Sequence, residues 1–317
     1  MRQQVVETVP LVSPSTGQKH QTTLHLLIAA MRPHQWLKNL LVLIPLLFGK
    51  KLGDPSAIGN AILACASFCF TASSLYIIND IIDAPSDRLH PEKCLRPIAS
   101  GALSTRAALL GASALLFVAF CIASPLGPQF LFLAALYGGS TLGYCLALKK
   151  VAILDGMIIA SGFVLRVVGG STAAGLTPSH WLIVCTFLPT LYLAFAKRRQ
   201  ELLALSDSAG QHRQVLREYT PVYLEQTNNI LIGATMVCYV LYTVAPETVA
   251  RFGTDSLIYG AFFVIYGLLR YMILSQDPSN CGDPCKLLIS DKPLLISILL
   301  WTTYNTIIIY RIRPFFF

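Results

Sequence analysis

The sequence predicts an all-α integral membrane protein with about nine transmembrane helices. Three observations carry that reading. Of 317 residues, 54% are hydrophobic and only 13% are charged, with a mean hydropathy of +0.60; soluble domains carry about 25% charged residues. The apolar residues fall in runs approaching the ~17–25 residues of a spanning helix, unlike the alternating segments of roughly ten in a β-barrel. The cations are shared unequally between alternate loops.

Taken in order, Met1–Thr23 is polar, contains Pro10, Pro14 and Gly17, and is expected to be a disordered cytosolic tail. Residues 24–317 then make a single transmembrane domain. Leu24–Ala30 is apolar but too short to span, and is expected along the membrane interface. Arg32-Pro-His-Gln-Trp36-Leu-Lys38-Asn39 leads into a first span, Trp36–Phe48. Further spans read as Ala57–Ile78, Ala107–Leu126, Phe130–Leu148, Ala152–Ala174, Trp181–Ala196, Asn228–Ala245, Leu257–Leu274 and Leu294–Tyr310. Trp36 reads as an anchor at the membrane interface.

If the amino terminus is cytosolic, the outer loops and carboxy terminus hold only Lys50, Lys51, Arg251, Arg311 and Arg313, and Arg166 lies inside a span. The remaining cations face inward, so the positive-inside rule puts the long loops Asn79–Arg106, Lys197–Thr227 and Ser275–Pro293 on the cytosolic side of the inner (plasma) membrane. The net charge of +8 is thereby explained by topology, and nucleic acid is not an expected partner. Six of the nine cysteines lie in apolar runs, where a thiol acts as a small hydrophobe, and disulfides are not expected.

The chemistry concentrates at Asn79-Asp80-Ile81-Ile82-Asp83-Ala84-Pro85-Ser86-Asp87, after the apolar run that ends at Ile78. Helix continuing past Asn79 puts Asp80 and Asp83 one turn apart, with Asn79 and Asp83 also neighbours. Pro85 disfavours helix at Ala84, so Asp87 is expected on a loop after a bend. Unpaired carboxylates this close to hydrocarbon repel one another and are costly. Mg²⁺ would remove both problems, being held typically by one or two carboxylates plus substrate phosphates. The carboxylate oxygens of Asp80, Asp83 and Asp87 and the amide oxygen of Asn79 are hard ligands of the kind such an ion takes, and the three aspartates are the candidate catalytic carboxylates. Lys93 and Arg96 complement the same phosphates. The alternative is an ordinary loop whose charges neutralise each other.

Other polar groups gather at the same face. Tyr144, Lys149 and Asp155 bracket the next inner loop and offer a second pole of the site. Arg166 lies eleven residues beyond Asp155, on nearly the same helix face but about 16 Å along the axis, so the two cannot pair although both can line one chamber. Arg166 also fits an arginine satisfied inside the bundle. Lys197 and Arg198 follow the sixth span as candidate phosphate ligands, with an i,i+4 pair between Lys197 and Glu201 as the plainer reading. Lys38 and Asn39, where the first span enters the membrane, are candidates for a lipid phosphate.

The texts RPHQWLKN, NDIIDAPSDRLHPEKCLRPIASG, LKKVAILDGMIIASGFVLRVVGG and CTFLPTLYLAFAKRRQEL resemble the UbiA superfamily of membrane prenyltransferases, from about Met31 to Tyr310. Asn79–Asp87 matches the NDxxDxxxD motif of that family in full. The finer text is similar to its decaprenyl-phosphate phosphoribosyltransferase branch. The resemblance implies nine helices around a cytosol-facing chamber. It also implies Mg²⁺-dependent transfer of 5-phosphoribose from phosphoribosyl diphosphate to a polyprenyl phosphate, with release of diphosphate, and it carries Asn79, Asp80, Asp83 and Asp87 over to metal and diphosphate binding. One departure stands out: the family's second DxxxD motif is incomplete, because Ile159 stands four residues after Asp155. Two rival readings remain: prenyl transfer from a polyprenyl diphosphate to an aromatic acceptor, and a transporter with an acidic ion site. A homo-oligomer is compatible with all three.

Overall fold

A computed structural model describes residues 22–90, 92–205, 214–277 and 284–311. The expected tail lies, up to residue 21, outside the described residues. Among the described residues there are helices and turns but no strands. The chain opens with α1 (Thr23–Met31), whose Leu26 and Ala30 are buried with Ile77, Ala84, Ile98 and Leu103.

The expected first span is present as a broken element. A 3₁₀ segment, Pro33–Leu43, passes into a short helix α2 (Ile44–Phe48). Pro45 has no N–H to return to Leu41, so a regular α-helix cannot run through this point without losing a bond. The looser winding compensates in length: eleven residues at ~2.0 Å and five at ~1.5 Å cover about 30 Å, the thickness of the hydrocarbon core. Trp36, expected as an interface anchor, is docked against the bundle. Its indole N–H donates to Ser73 Oγ at 3.0 Å and its ring meets Phe70 edge-on.

Eight further elements among the described residues are long and apolar enough to cross a membrane. These are α3 (Pro55–Asp87), α4 (Thr105–Ala123), α5 (Pro128–Leu146), α6 (Leu154–Ala173), α7 (His180–Leu205), α8 (Pro221–Val244), α10 (Ala261–Leu274, entered through a 3₁₀ turn at Ser256–Gly260) and α12 (Lys292–Tyr310). Short helices α9 (Pro246–Phe252) and α11 (Pro284–Ser290) join them. The sequence-predicted spans from Ala57 onward thus correspond to eight long elements among the described residues, and the expected first span, Trp36–Phe48, is a broken 3₁₀–α segment rather than a continuous helix.

Helix α3 is the axis of the fold. Asp54 caps it, accepting from the Ser56 and Ala57 N–H groups, and the Ser56 hydroxyl and Lys51 hold its carboxyl below the usual carboxylate range. Thirty-three residues at 1.5 Å make about 50 Å, so Asn79, about 36 Å from Pro55, lies beyond the apolar core. Contrary to the bend expected at Pro85, the helix continues to Asp87. Proline there forfeits one bond, to Ile81 O, only two residues before the end. Ala84, packed with Ile98 and Leu103, holds the turn, and Arg88 N–H closes it on Ala84 O at 3.2 Å.

Helix α6 is the second buried element, flanked by α5 and α7 and crossed by the broken span. A Cβ at Gly170 would lie 2.0 Å from Val42 O, so this residue alone lets the 3₁₀ backbone rest on α6. Gly170→Ala is expected to destabilise the fold by about 1–3 kcal/mol, seen as a lowered thermal midpoint, because backbone rather than a flexible side chain must move.

Candidate active site

Because α3 runs on past Pro85, Asp80, Asp83 and Asp87 fall on one helix face, within about 60° of one another at ~100° per residue. Three cations close over that face from three different elements. Arg32, the residue that ends α1 in the left-handed conformation (φ 53°), donates to Asp80 Oδ1 at 2.5 Å and lies over the Tyr76 ring. Arg96 donates from one nitrogen to Asp80 Oδ1 at 3.1 Å and Asp87 Oδ2 at 2.6 Å. Its loop is strapped back by Arg88 Nε to Ala99 O and Leu103 N–H to Pro97 O. Lys149, from the turn between α5 and α6, reaches Asp83 Oδ1 at 2.7 Å, while Asn79 Nδ2 donates to Asp83 Oδ2 at 3.0 Å.

Asp80 and Asp87 are buried, and Asp83 is partly open. Among the described residues no protein donor meets Asp80 Oδ2 or Asp87 Oδ1, so each of these carboxylates keeps one oxygen for another cation. Among the described residues no three acidic, histidine or cysteine side chains form a cage by themselves. A hard divalent ion that takes its remaining ligands from phosphates fits this donor set; a fully protein-ligated ion does not.

Five of the other predicted residues fall into two separate networks, Asp155, Arg198 and Tyr144 in one and Arg166 and Asn39 in the other. Asp155, fully buried at the start of α6, accepts from Arg198 Nε at 2.7 Å and from the Tyr219 hydroxyl at 2.8 Å. Arg198 also reaches Glu201 Oε2 at 2.9 Å and the Tyr144 hydroxyl at 3.3 Å. Arg166 gives Nε to Asn39 Oδ1 at 2.6 Å, Nη1 to Gly162 O at 2.8 Å and Nη2 to the Tyr137 hydroxyl at 2.7 Å. It thereby pins the broken span to α5 and α6, and Asn39 continues the link to Cys69 Sγ on α3. Asp155 and Arg166 therefore belong to different networks of the same helix. Lys38 bonds Gln35 on its own 3₁₀ segment. Lys93 begins the turn before Arg96, and among the described residues no carboxylate pairs with its ammonium. Lys197 precedes Arg198 on α7 and is half-buried.

Sequence reasoning did not single out Arg32, Tyr137 or Tyr219. Arg32 stands at the head of the RPHQWLKN text, and a cation next to proline at a membrane entry was a usable signal. Tyr219 is 64 residues from Asp155, and no local pattern announces that pairing.

In the other half of the bundle an apolar cavity of about 410 Å³ lies between α2, α7, α8, α10 and α12, walled by Phe48, Leu182, Tyr239, Leu268 and Trp301.

Fold and charged end together define a multi-span helical membrane protein whose paired acidic and basic side chains gather at one end of the bundle. Residues 40–289 match the UbiA prenyltransferase family, and the chain belongs to that family. It is 32% identical over 285 residues to the decaprenyl-phosphate phosphoribosyltransferase of Mycolicibacterium smegmatis, covering 87% of this chain and 89% of that protein. To the protein of the same name from Corynebacterium glutamicum it is 32% identical over 300 residues, covering 92% and 88%. Its fold is similar to that of a UbiA homologue from Archaeoglobus fulgidus solved with DMAPP and Mg²⁺, with a TM-score of 0.67 at 20% identity over 90% of this chain and 99% of that one.

Proposed function

We propose that this protein transfers 5-phosphoribose from phosphoribosyl diphosphate to a polyprenyl phosphate and releases diphosphate. The observation that carries the reading is the acidic face of α3 with unliganded oxygens on Asp80 and Asp87, ringed by Arg32, Arg96 and Lys149. Similarity to the two phosphoribosyltransferases over most of the chain supports the choice of donor. The distribution of cations supports a position for this end of the bundle at the cytosolic face of the plasma membrane, where a water-soluble donor is met.

Asp80, Asp83 and Asp87, with Asn79, would hold Mg²⁺ together with the donor's diphosphate, and the ion supplies Lewis-acid stabilisation of the departing charge. Arg32, Arg96 and Lys149 hold the carboxylates until the donor arrives and then share themselves with its phosphates; Lys93 adds a further cation. As the ribosyl C1–O bond lengthens, negative charge grows on the diphosphate, and fixed guanidinium and ammonium groups stabilise it more than they stabilise the bound donor. Lys38, at the head of the broken span, holds the lipid phosphate for attack on C1 from the opposite face. A phosphate monoester is already ionised near neutral pH, so no general base is required.

Purified protein given labelled phosphoribosyl diphosphate and polyprenyl phosphate is expected to yield labelled lipid. Chelation of divalent ions is expected to abolish the product and added Mg²⁺ to restore it. A prenylated aromatic formed instead from polyprenyl diphosphate, or solute flux without any lipid product, would contradict the reading. Against prenyl transfer, Asp155 is committed to Arg198 and Tyr219 and has Ile159 where a second acidic residue would stand.

A further inference from the structure

Lys149 sits in a 3₁₀ turn, Leu148–Lys150, between α5 and α6, and the turn is closed by an unusual residue. Ile153 has φ 67° and ψ −49°, a region that β-branched side chains rarely enter. Its N–H donates to the Tyr219 hydroxyl at 2.6 Å, and that hydroxyl donates in turn to Asp155 Oδ1. Arg198 completes the arrangement, gripping Asp155 on the α6 side of the turn and Tyr144 on the α5 side. Both ends of the turn and its strained residue are therefore held by two side chains from outside it. Of the two lysines so presented, Lys149 is half-buried against Asp83 and Lys150 is exposed.

We propose that Tyr219, Arg198 and Asp155 are positioning residues, a latch that sets the α5–α6 turn so that Lys149 meets Asp83 and the diphosphate held there. The inference rests on the site proposed above. Asp155 and Arg198 are 0% and 2% exposed, and each is occupied by the other, so neither touches the donor. Tyr219 is wedged by Phe195 and stacked on Tyr223; burial pushes its phenol up, so it remains protonated as the donor to Asp155. The latch also gives Asp155 a role without a DxxxD companion: its partner is a guanidinium.

The test is calorimetric titration of the full chain in lipid nanodiscs with inorganic diphosphate in Mg²⁺. Tyr219→Phe keeps the ring and is expected to weaken binding roughly tenfold, the scale for an outer partner of a binding group. Arg198→Lys keeps the charge but loses the fork to Tyr144, and is expected to do the same. Lys149→Met is expected to weaken binding at least as much, and Tyr219→Phe added to it should cost nothing further, because residues acting through one another are non-additive. An unchanged Kd in Tyr219→Phe with only a lowered thermal midpoint, or effects of the two substitutions that multiply in full, would overturn the latch. A wild-type chain that binds no diphosphate overturns latch and site together. One that binds it but transfers no ribosyl group contradicts the proposed reaction and leaves the latch standing.

Discussion

Asp83→Asn is expected to lower kcat/KM for phosphoribosyl transfer by roughly 10²–10³-fold, the scale on which one preorganised electrostatic contact acts. The substitution keeps the side chain's volume and removes a charge that Lys149 and Asn79 both address. Asp83 is 28% exposed, so folding should be little affected and the loss should fall on turnover, with more Mg²⁺ needed for half-maximal rate. Asp80→Asn should behave differently. Asp80 Oδ1 receives both Arg32 and Arg96 in a buried setting, and neutralising it takes the counter-charge from Arg32 and leaves Arg96 with Asp87 alone. That variant is expected to lose activity and thermal stability together. Parallel rate and melting measurements on the two variants separate chemistry from architecture. Near-normal turnover of Asp83→Asn at limiting Mg²⁺ would remove Asp83 from the ligand set.

The largest stability effect is expected from Arg198→Ala, about 3–5 kcal/mol, because it leaves Asp155 as a buried carboxylate without its counter-charge. Replacing both residues at once with apolar groups of similar volume should cost much less, since desolvation of the two ions offsets most of their attraction. Thermal unfolding of the single and double variants checks this. A single variant that melts with the wild type would mean that water or another cation reaches Asp155.

Much of this was legible because it is periodic. The spacing of Asp80, Asp83 and Asp87 is that of one helix face, and the apolar runs preceding and following it mark their own lengths. What misled the reading was local. Pro85 disfavours helix at Ala84, whereas packing of Ala84 and the grip of Arg96 on Asp87 carry the helix through. The 3₁₀ winding of Pro33–Leu43 has no sequence signature beyond Pro33 at its start and Pro45 just after it, and it depends on Gly170 in a distant helix. Arg166 was readable as buried and polar, yet its partners Asn39 and Tyr137 are 127 and 29 residues away. Pairings of this kind, like Tyr219 with Asp155, are made by tertiary packing and leave no trace in spacing.

In the proposed reaction the acidic face of α3 and its ring of cations hold a ribosyl donor by its diphosphate while C1 is taken by a lipid phosphate. Donor labelled separately in the ribose and in the β-phosphate, supplied with polyprenyl phosphate and Mg²⁺, tests this most directly. The expected result is one ribose label entering the lipid phase for each β-phosphate label released to water as diphosphate, with both lost in Asp83→Asn. β-Phosphate label in the lipid, or diphosphate release without ribosyl lipid, would contradict the account.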